Sequence, residues 1–140
     1  MREHVEKAKS LNPKEQLVLG VLRAQPRPHS AYDLIDELRS HGVSAPATVY
    51  RALQHLIKLG LVHRLETLNA FVACAEGKHC ATARNIVFAI CDDCGRVEEI
   101  SEIDLPAGIS RWAKASRFAV RSTTFELRGQ CGACGGTSTT

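Results

Sequence analysis

Two Cys-x-x-Cys pairs, Cys91-Asp-Asp-Cys94 and Cys131-Gly-Ala-Cys134, constrain the fold of this 140-residue chain more than any other feature. The spacing lets two thiolates from one tight turn reach the same metal ion. Two such turns complete the four-sulfur tetrahedron preferred by structural zinc. Gly95 and Gly135 follow the second cysteine of each pair, where a turn is expected to require positive φ. A single pair would also suit a redox motif, and two separate disulfides would use the same residues. Two matched pairs favour the metal. The site would close the chain from residue 94 to residue 131 into a small stapled unit, which is a clip and not yet a function.

Composition sets the outer limits. Hydrophobic residues make up 44 % of the chain and charged residues 24 %, the balance of a folded, soluble protein with one medium domain or two small ones. No apolar run approaches about 18 residues, so no membrane span is expected. The start, Met1-Arg-Glu-His-Val-Glu-Lys7, is charged and lacks the apolar core of an export signal. Six cysteines without such a signal fit a reducing, cytoplasmic compartment, where thiols serve metals better than disulfides. The net charge of +3 is concentrated in the first half. Residues 1–75 hold ten Lys/Arg against seven Asp/Glu, and residues 76–140 hold eight against eight. This is compatible with a nucleic-acid surface without establishing one.

Asn12-Pro13 reads as a helix start, with Asn12 as cap and Leu17, Val18, Val21 and Leu22 at helical spacing before Pro26 and Pro28. Ser30 and Asp33 form a capping box for a second helix carrying Leu34, Ile35 and Leu38, stopped by Gly42. Pro46 opens a third, with Val49, Leu53, Leu56 and Ile57 on its apolar face and Gly60 at its end. Residues 61–66 and 70–74 then read as a hairpin. Three short helices and a hairpin make a winged helix-turn-helix, whose third helix enters the DNA major groove while the hairpin flanks it. The outward residues of that helix, Thr48, Tyr50, Arg51, Gln54 and His55, can all hydrogen-bond to bases or phosphates. Taken alone they equally describe the solvated face of an amphipathic helix. The succession of elements is what favours DNA.

Beyond a polar stretch at 75–84 the pattern turns to strands at 86–90, 96–100 and 119–127, with a helix over 106–117. The expected class is therefore α+β: a winged-helix DNA-binding domain (1–75), a hinge (76–85), a small α/β dimerisation and metal-binding domain with the four-cysteine structural zinc site (86–134), and a disordered tail (135–140). Small sheets of this kind often pair into dimers, which suits DNA recognition through two half-sites.

These residues resemble the ferric uptake regulator family, most closely its zinc uptake regulator branch. Thr48-Val-Tyr-Arg-Ala-Leu-x-x-Leu-x-x-x-Gly-Leu-Val-His63 is similar to that family's recognition-helix-to-wing signature. Cys91-Asp-Asp-Cys-Gly-Arg-Val-Glu-Glu99 and Gly129-Gln-Cys-Gly-Ala-Cys134 are similar to its structural zinc site. The resemblance implies a homodimeric repressor of zinc-uptake genes that binds double-stranded, inverted-repeat operator DNA when its sensor metal is loaded. Tyr50 and Arg51 then correspond to the DNA-contacting pair. It also implies a regulatory zinc, held in that branch by a wing histidine, a cysteine after the second wing strand, a histidine before the first Cys-x-x-Cys and a glutamate after it. Matching positions here are His63, Cys74 and Glu99. One imidazole, one thiolate and one carboxylate suit zinc on chemical grounds, whereas iron sites prefer nitrogen and oxygen without sulfur.

The remaining regulatory position falls on Arg84, whose guanidinium stays protonated and cannot ligate. His79 and Cys80 are the nearest replacements, with Ala81-Thr-Ala-Arg84 as slack, so the ligand is His79, Cys80 or missing. His4, His29 and His41 read as surface residues, and His55 as exposed or touching a phosphate. An iron- or peroxide-sensing regulator is the alternative within the class, opposed by the thiolate of Cys74. A zinc hydrolase would need a motif such as His-Glu-x-x-His, which is absent, and a thiol oxidoreductase would need one Cys-x-x-Cys at a helix start, so no enzyme activity is expected. A winged helix that binds protein instead of DNA is opposed by the presence of Tyr50 and Arg51.

Overall fold

The computed structural model describes residues 11–25, 27–74, 85–101 and 103–135. Helix α1 (Pro13–Ala24) begins at a capping box in which the Glu15 N–H donates to Asn12 Oδ1 at 2.8 Å and the Asn12 N–H donates to Glu15 Oε1 at 3.0 Å. Helix α2 (Ala31–Arg39) repeats the device with Ser30 and Asp33. Helix α3 (Pro46–Lys58) has proline in its first turn and no side-chain cap. Their apolar stripes meet in one core built on Val18, Leu19 and Leu22, Leu34 and Leu38, and Val49, Leu53 and Leu56. Ile57, expected on the buried face of α3, is 37 % exposed. One residue beyond Leu56 means about 100° of rotation, which turns it off the stripe.

Both α2 and α3 stop at a left-handed glycine, Gly42 at φ 83° and Gly60 at φ 77°. At Gly60 the Leu61 N–H reaches back to Leu56 O and the Gly60 N–H to Ile57 O, each at 3.0 Å, over the buried pair Leu56 and Leu61. That turn delivers the chain straight into β1 (Val62–Leu65), antiparallel to β2 (Ala70–Ala73) in a register running from Val62↔Ala73 to Leu65↔Ala70. His29 joins this sheet by a two-way backbone pair with Phe71, at 3.0 and 2.8 Å. It is buried at 6 %, not a surface residue as expected, because the pairing draws it under the sheet edge.

The second sheet has the order β4-β3-β5. Its centre is β3 (Asn85–Cys91), antiparallel to β4 (Val97–Ser101) and parallel to β5 (Thr123–Gly129). The parallel pair requires a crossover, which includes α4 (Ala107–Ala115). The strand expected over 119–127 starts only at Thr123. Phe118 belongs to the helix end instead: its N–H donates to Ala113 O at 2.8 Å and its ring tilts against Trp112 at 5.2 Å. A short turn, α5 (Gly132–Gly135), follows β5. Gly135 lacks the positive φ expected of it, because the second Cys-x-x-Cys is wound helically, its N–H donating to Cys131 O at 2.8 Å; Gly95 does have it, at φ 76°.

Strand alternation gives the wing two buried faces. Val62 and Phe71 point into the helical core, while Leu65 and Val72 pack against Ile86, Phe88 and Ile90 of the second sheet. The wing therefore lies between the helices and that sheet. Among the described residues, no helix is long and apolar enough to cross a membrane.

Candidate metal centres and nucleic-acid interface

The parallel register sets Cys91 beside Gly129, so the turn after β3 and the turn after β5 leave the sheet together. Cross-links hold them there: the Asp92 N–H donates to Gly129 O at 2.8 Å, Arg128 Nη2 lies 2.8 Å from Asp92 Oδ1, and Gln130 Nε2 donates to Asp93 Oδ2 at 2.6 Å. The result gathers Cys91, Cys94, Cys131 and Cys134, whose sulfurs all lie within 4.8 Å of one another. None of the four forms a disulfide. Cys94 Sγ is 3.8 Å from Cys131 Sγ. Zn–S bonds of about 2.3 Å in a tetrahedron give a sulfur–sulfur edge of about 3.8 Å, so the cage has the size zinc requires.

Its electrostatics agree with that size. The Cys131 N–H, 3.3 Å from Cys91 Sγ, together with the Cys94 N–H, holds the Cys91 thiol down at about 6. Cys131 is lowered in turn, first by the Cys134 N–H. Cys134 is pushed up to about 12 by the sulfurs of Cys131, Cys94 and Cys91. Backbone N–H groups thus stabilise thiolate here, yet a fourth negative charge is opposed. A divalent cation resolves that conflict.

The second cluster, His63, Cys74 and Glu99, also has its ligand atoms within 4.8 Å of one another. His63 comes from β1, Cys74 follows β2, and Glu99 lies on β4, so the cluster spans wing and second sheet. His63 Nε2 is 3.4 Å from Glu99 Oε1, and Cys74 Sγ is 3.9 Å from the same oxygen. Cys74 is disulfide-bonded in this structure, so its sulfur can serve as a thiolate ligand only once that bond is reduced. Zinc bound to nitrogen and oxygen at about 2.0–2.1 Å gives a tetrahedral edge of about 3.4 Å. His63 Nε2 is enclosed and makes no hydrogen bond among the described residues. An enclosed polar nitrogen without a bond costs about 1–3 kcal/mol, a cost that a metal ligand recovers. The Phe88 ring, 5.3 Å from the imidazole, holds its orientation. A cleft of about 500 Å³ lined by Cys74, Glu99, Phe88 and Leu22 adjoins the cluster and leaves room for another donor. His79, Cys80 and Arg84 lie outside the described residues, as does His4.

On α3 the outward residues face two clefts. Tyr50, 47 % exposed, and Gln54 line one of about 200 Å³ with Tyr32, Arg64 and Asn69. Thr48 and Arg51 line another of about 320 Å³ with Asn12 and Lys14. Arg51 is exposed, its Nε donating only a long 3.4 Å bond to Ala47 O, so the guanidinium is available to a ligand. His55 is exposed, as expected, and in addition its Nδ1 pairs with Glu15 Oε2. Glu15 thereby caps α1 and ties α3 to it from a 5 % exposed position.

Sequence reasoning missed one contact near these sites. Glu126 of β5 accepts hydrogen bonds from the Glu66 N–H at 2.7 Å and the Thr67 N–H at 2.8 Å, in the turn between the wing strands. Burial raises its carboxyl, and the Thr67 side chain and the two N–H groups together outweigh this, leaving it below the usual carboxylate range. Apolar Phe125 and Leu127 put Glu126 on the opposite strand face, so the sequence carried no signal for this contact.

Helices, wing and sheet, with a four-thiol cage and a mixed cluster between wing and sheet, define a winged-helix regulator equipped with metal-ligand sites. The family model described as the ferric uptake regulator family matches residues 8–128, and the chain belongs to that family. It is 38 % identical over 125 residues to the zinc uptake regulation protein of Escherichia coli (strain K12), covering 89 % of this chain and 72 % of that protein. Against the zinc uptake regulation protein of Mycobacterium tuberculosis it is 32 % identical over 109 residues, covering 75 % and 78 %. The crystal structure of holo XcZur superposes with a TM-score of 0.76 at 38 % identity, covering 91 % of this chain and 87 % of that one. A zinc uptake regulator complexed with zinc and DNA gives 0.75 at 36 % identity, covering 89 % and 82 %.

Proposed function

We propose that this chain is a zinc-responsive transcriptional repressor that binds inverted-repeat operator DNA as a homodimer and controls zinc-uptake genes. The observation that carries the reading is the His63–Cys74–Glu99 cluster, whose ligand atoms lie within 4.8 Å of one another and span the wing and the second sheet. Bound there, zinc supplies coordinate bonds to residues of both units and so favours the single arrangement that brings them together. The fourth donor is His79, Cys80 or none, since Arg84 cannot ligate. Cys91, Cys94, Cys131 and Cys134 hold a second, structural zinc that fastens the end of the chain to β3. A cysteine in the regulatory set, a thiolate once its disulfide is reduced, and relatives named for zinc uptake favour zinc over iron.

Tyr50, Arg51, Thr48 and Gln54 make the DNA contacts. Arg51 is suited to the two acceptors of a guanine edge and Tyr50 to a thymine methyl or a phosphate. Residues 1–75 act as the DNA-binding head, 76–85 as hinge, 86–134 as dimerisation and metal unit and 135–140 as tail. Support for the dimer comes from the far face of the second sheet. Ile100 and Leu127, on the opposite side from Phe88, are 40 % and 55 % exposed. Exposed large apolar side chains on one sheet face are what a dimer interface would cover. The reading implies a cytoplasmic protein without enzymatic activity.

Elemental analysis before and after a mild chelator tests it. Two zinc ions per protomer, one of them easily removed together with DNA binding, are expected. One resistant zinc, with DNA binding indifferent to the chelator, would refute metal-gated repression.

A further inference from the structure

One row of the second sheet holds the wing at both ends. In the β4-β3-β5 register Phe88 pairs with Glu99 on one side and with Glu126 on the other, so all three side chains share a face. Phe88 sits under the His63 ring. Glu99 reaches His63 and Cys74 at the base of the wing, while Glu126 accepts the Glu66 and Thr67 N–H groups at its tip. Between these points Leu65 and Val72 lie on Ile86, Phe88 and Ile90. The tip contact is made with backbone amides by an acceptor-only carboxylate, needs no metal, and fixes the wing's position whatever its side chains are.

We propose that Glu126 is a positioning residue for DNA binding: it supplies a metal-independent tie between DNA-binding head and dimerisation unit, and the zinc cluster supplies the metal-dependent one. This rests on the reading of the chain as a zinc-responsive DNA-binding repressor. With the tip held, the wing has only to close at its base when zinc arrives. With the tip free, only the Leu65 and Val72 packing remains to hold the wing before zinc arrives, and part of the zinc binding free energy goes into ordering the head. Loss of Glu126 therefore weakens two equilibria that it does not touch, operator binding and zinc binding at the His63 cluster.

The test compares wild type, Glu126→Gln and Glu126→Ala, with the four-cysteine site loaded. The DNA probe is the tightest duplex that the zinc-loaded wild type selects from a random pool. Expected for Glu126→Ala are rapid amide exchange at Glu66 and Thr67, about tenfold weaker duplex binding at saturating zinc, and about tenfold weaker zinc binding at the removable site. Glu126→Gln, which keeps one acceptor oxygen and the volume, falls between and guards against simple misfolding. Rapid exchange at the two amides with duplex and zinc affinities within twofold of wild type overturns the proposal. So does undiminished amide protection in Glu126→Ala. If the wild type selects no duplex, it is the reading of the chain that fails. Residual dipolar couplings of the protein alone then decide the tie: an orientation between helices and second sheet that is equally ordered in wild type and Glu126→Ala overturns it, and a broadened one supports it.

Discussion

Cys74 and Cys91 are both cysteines near a strand end, but their surroundings assign them different tasks. Cys91 is 4 % exposed, takes an N–H from Cys131 and belongs to a cage that joins β3 to the end of β5. Metal bound in such a cage contributes folding free energy directly. Cys91→Ser is expected to lose the structural zinc, the second sheet and the dimer together, visible as a lower thermal midpoint and a monomer mass in sedimentation equilibrium. Cys74→Ser is expected to keep fold and structural zinc and to lose only the removable ion and zinc-dependent DNA binding. Indistinguishable behaviour of the two variants would remove the division between clip and sensor. The cage was legible from spacing alone, since Cys-x-x-Cys is a local pattern. Glu126 was not, because its partners are backbone amides about sixty residues away and a backbone amide has no sequence signature. His29 was misread for the same reason: its burial comes from a backbone pair with Phe71.

At the scale of elements the helices were the most readable, because caps are local chemistry. Asn12 with Glu15 and Ser30 with Asp33 form the boxes their spacing predicts. The turn at Gly60 carries more than a helix end, since it sets the angle at which α3 passes into the wing. Gly60→Ala forces a side chain into the left-handed region at a cost of about 1 kcal/mol. A lower urea midpoint with an unchanged slope is the expected outcome, and full wild-type stability would contradict the role given to that turn. On α3 itself, the proposed DNA contact of Arg51 with a guanine edge would be worth about 1–3 kcal/mol. Arg51→Ala should thus weaken operator binding from about tenfold to beyond a hundredfold, by fluorescence anisotropy, with zinc content and dimer unchanged. The start of β5 was harder to read. Phe118, Val120 and Ser122 alternate as a strand would, yet Phe118 is held by the Ala113 carbonyl and Trp112 at the end of α4. Alternation cannot distinguish a strand from a chain finishing a helix.

For the whole molecule, the far face of the second sheet and the two ties of the wing decide how the heads are presented. Leu127 is 55 % exposed on that face. Leu127→Lys places a charge where a dimer would exclude water, and is expected to shift the protein toward monomer in sedimentation equilibrium and to weaken operator binding. An unchanged dimer would move the interface elsewhere. The presence of two units was readable from the change of pattern beyond residue 75. The way the head rests on the sheet was not, because it depends on pairings such as His63 with Glu99 and Glu66 with Glu126 that join distant stretches of chain.

The two-sided wing also governs how the molecule comes into being. Helices and hairpin are closed by short-range contacts and can form while the chain is still being synthesised, whereas β3 acquires its parallel partner only when residues 123–129 have been made. Until residues 86–90 have been made and packed, Leu65 and Val72 have no cover, though both end as core. A nascent chain therefore passes through a stage with a greasy underside, when a chaperone or a neighbouring copy can claim it. A head cut off after residue 74 would be held at that stage permanently, sticky where the finished protein is dry.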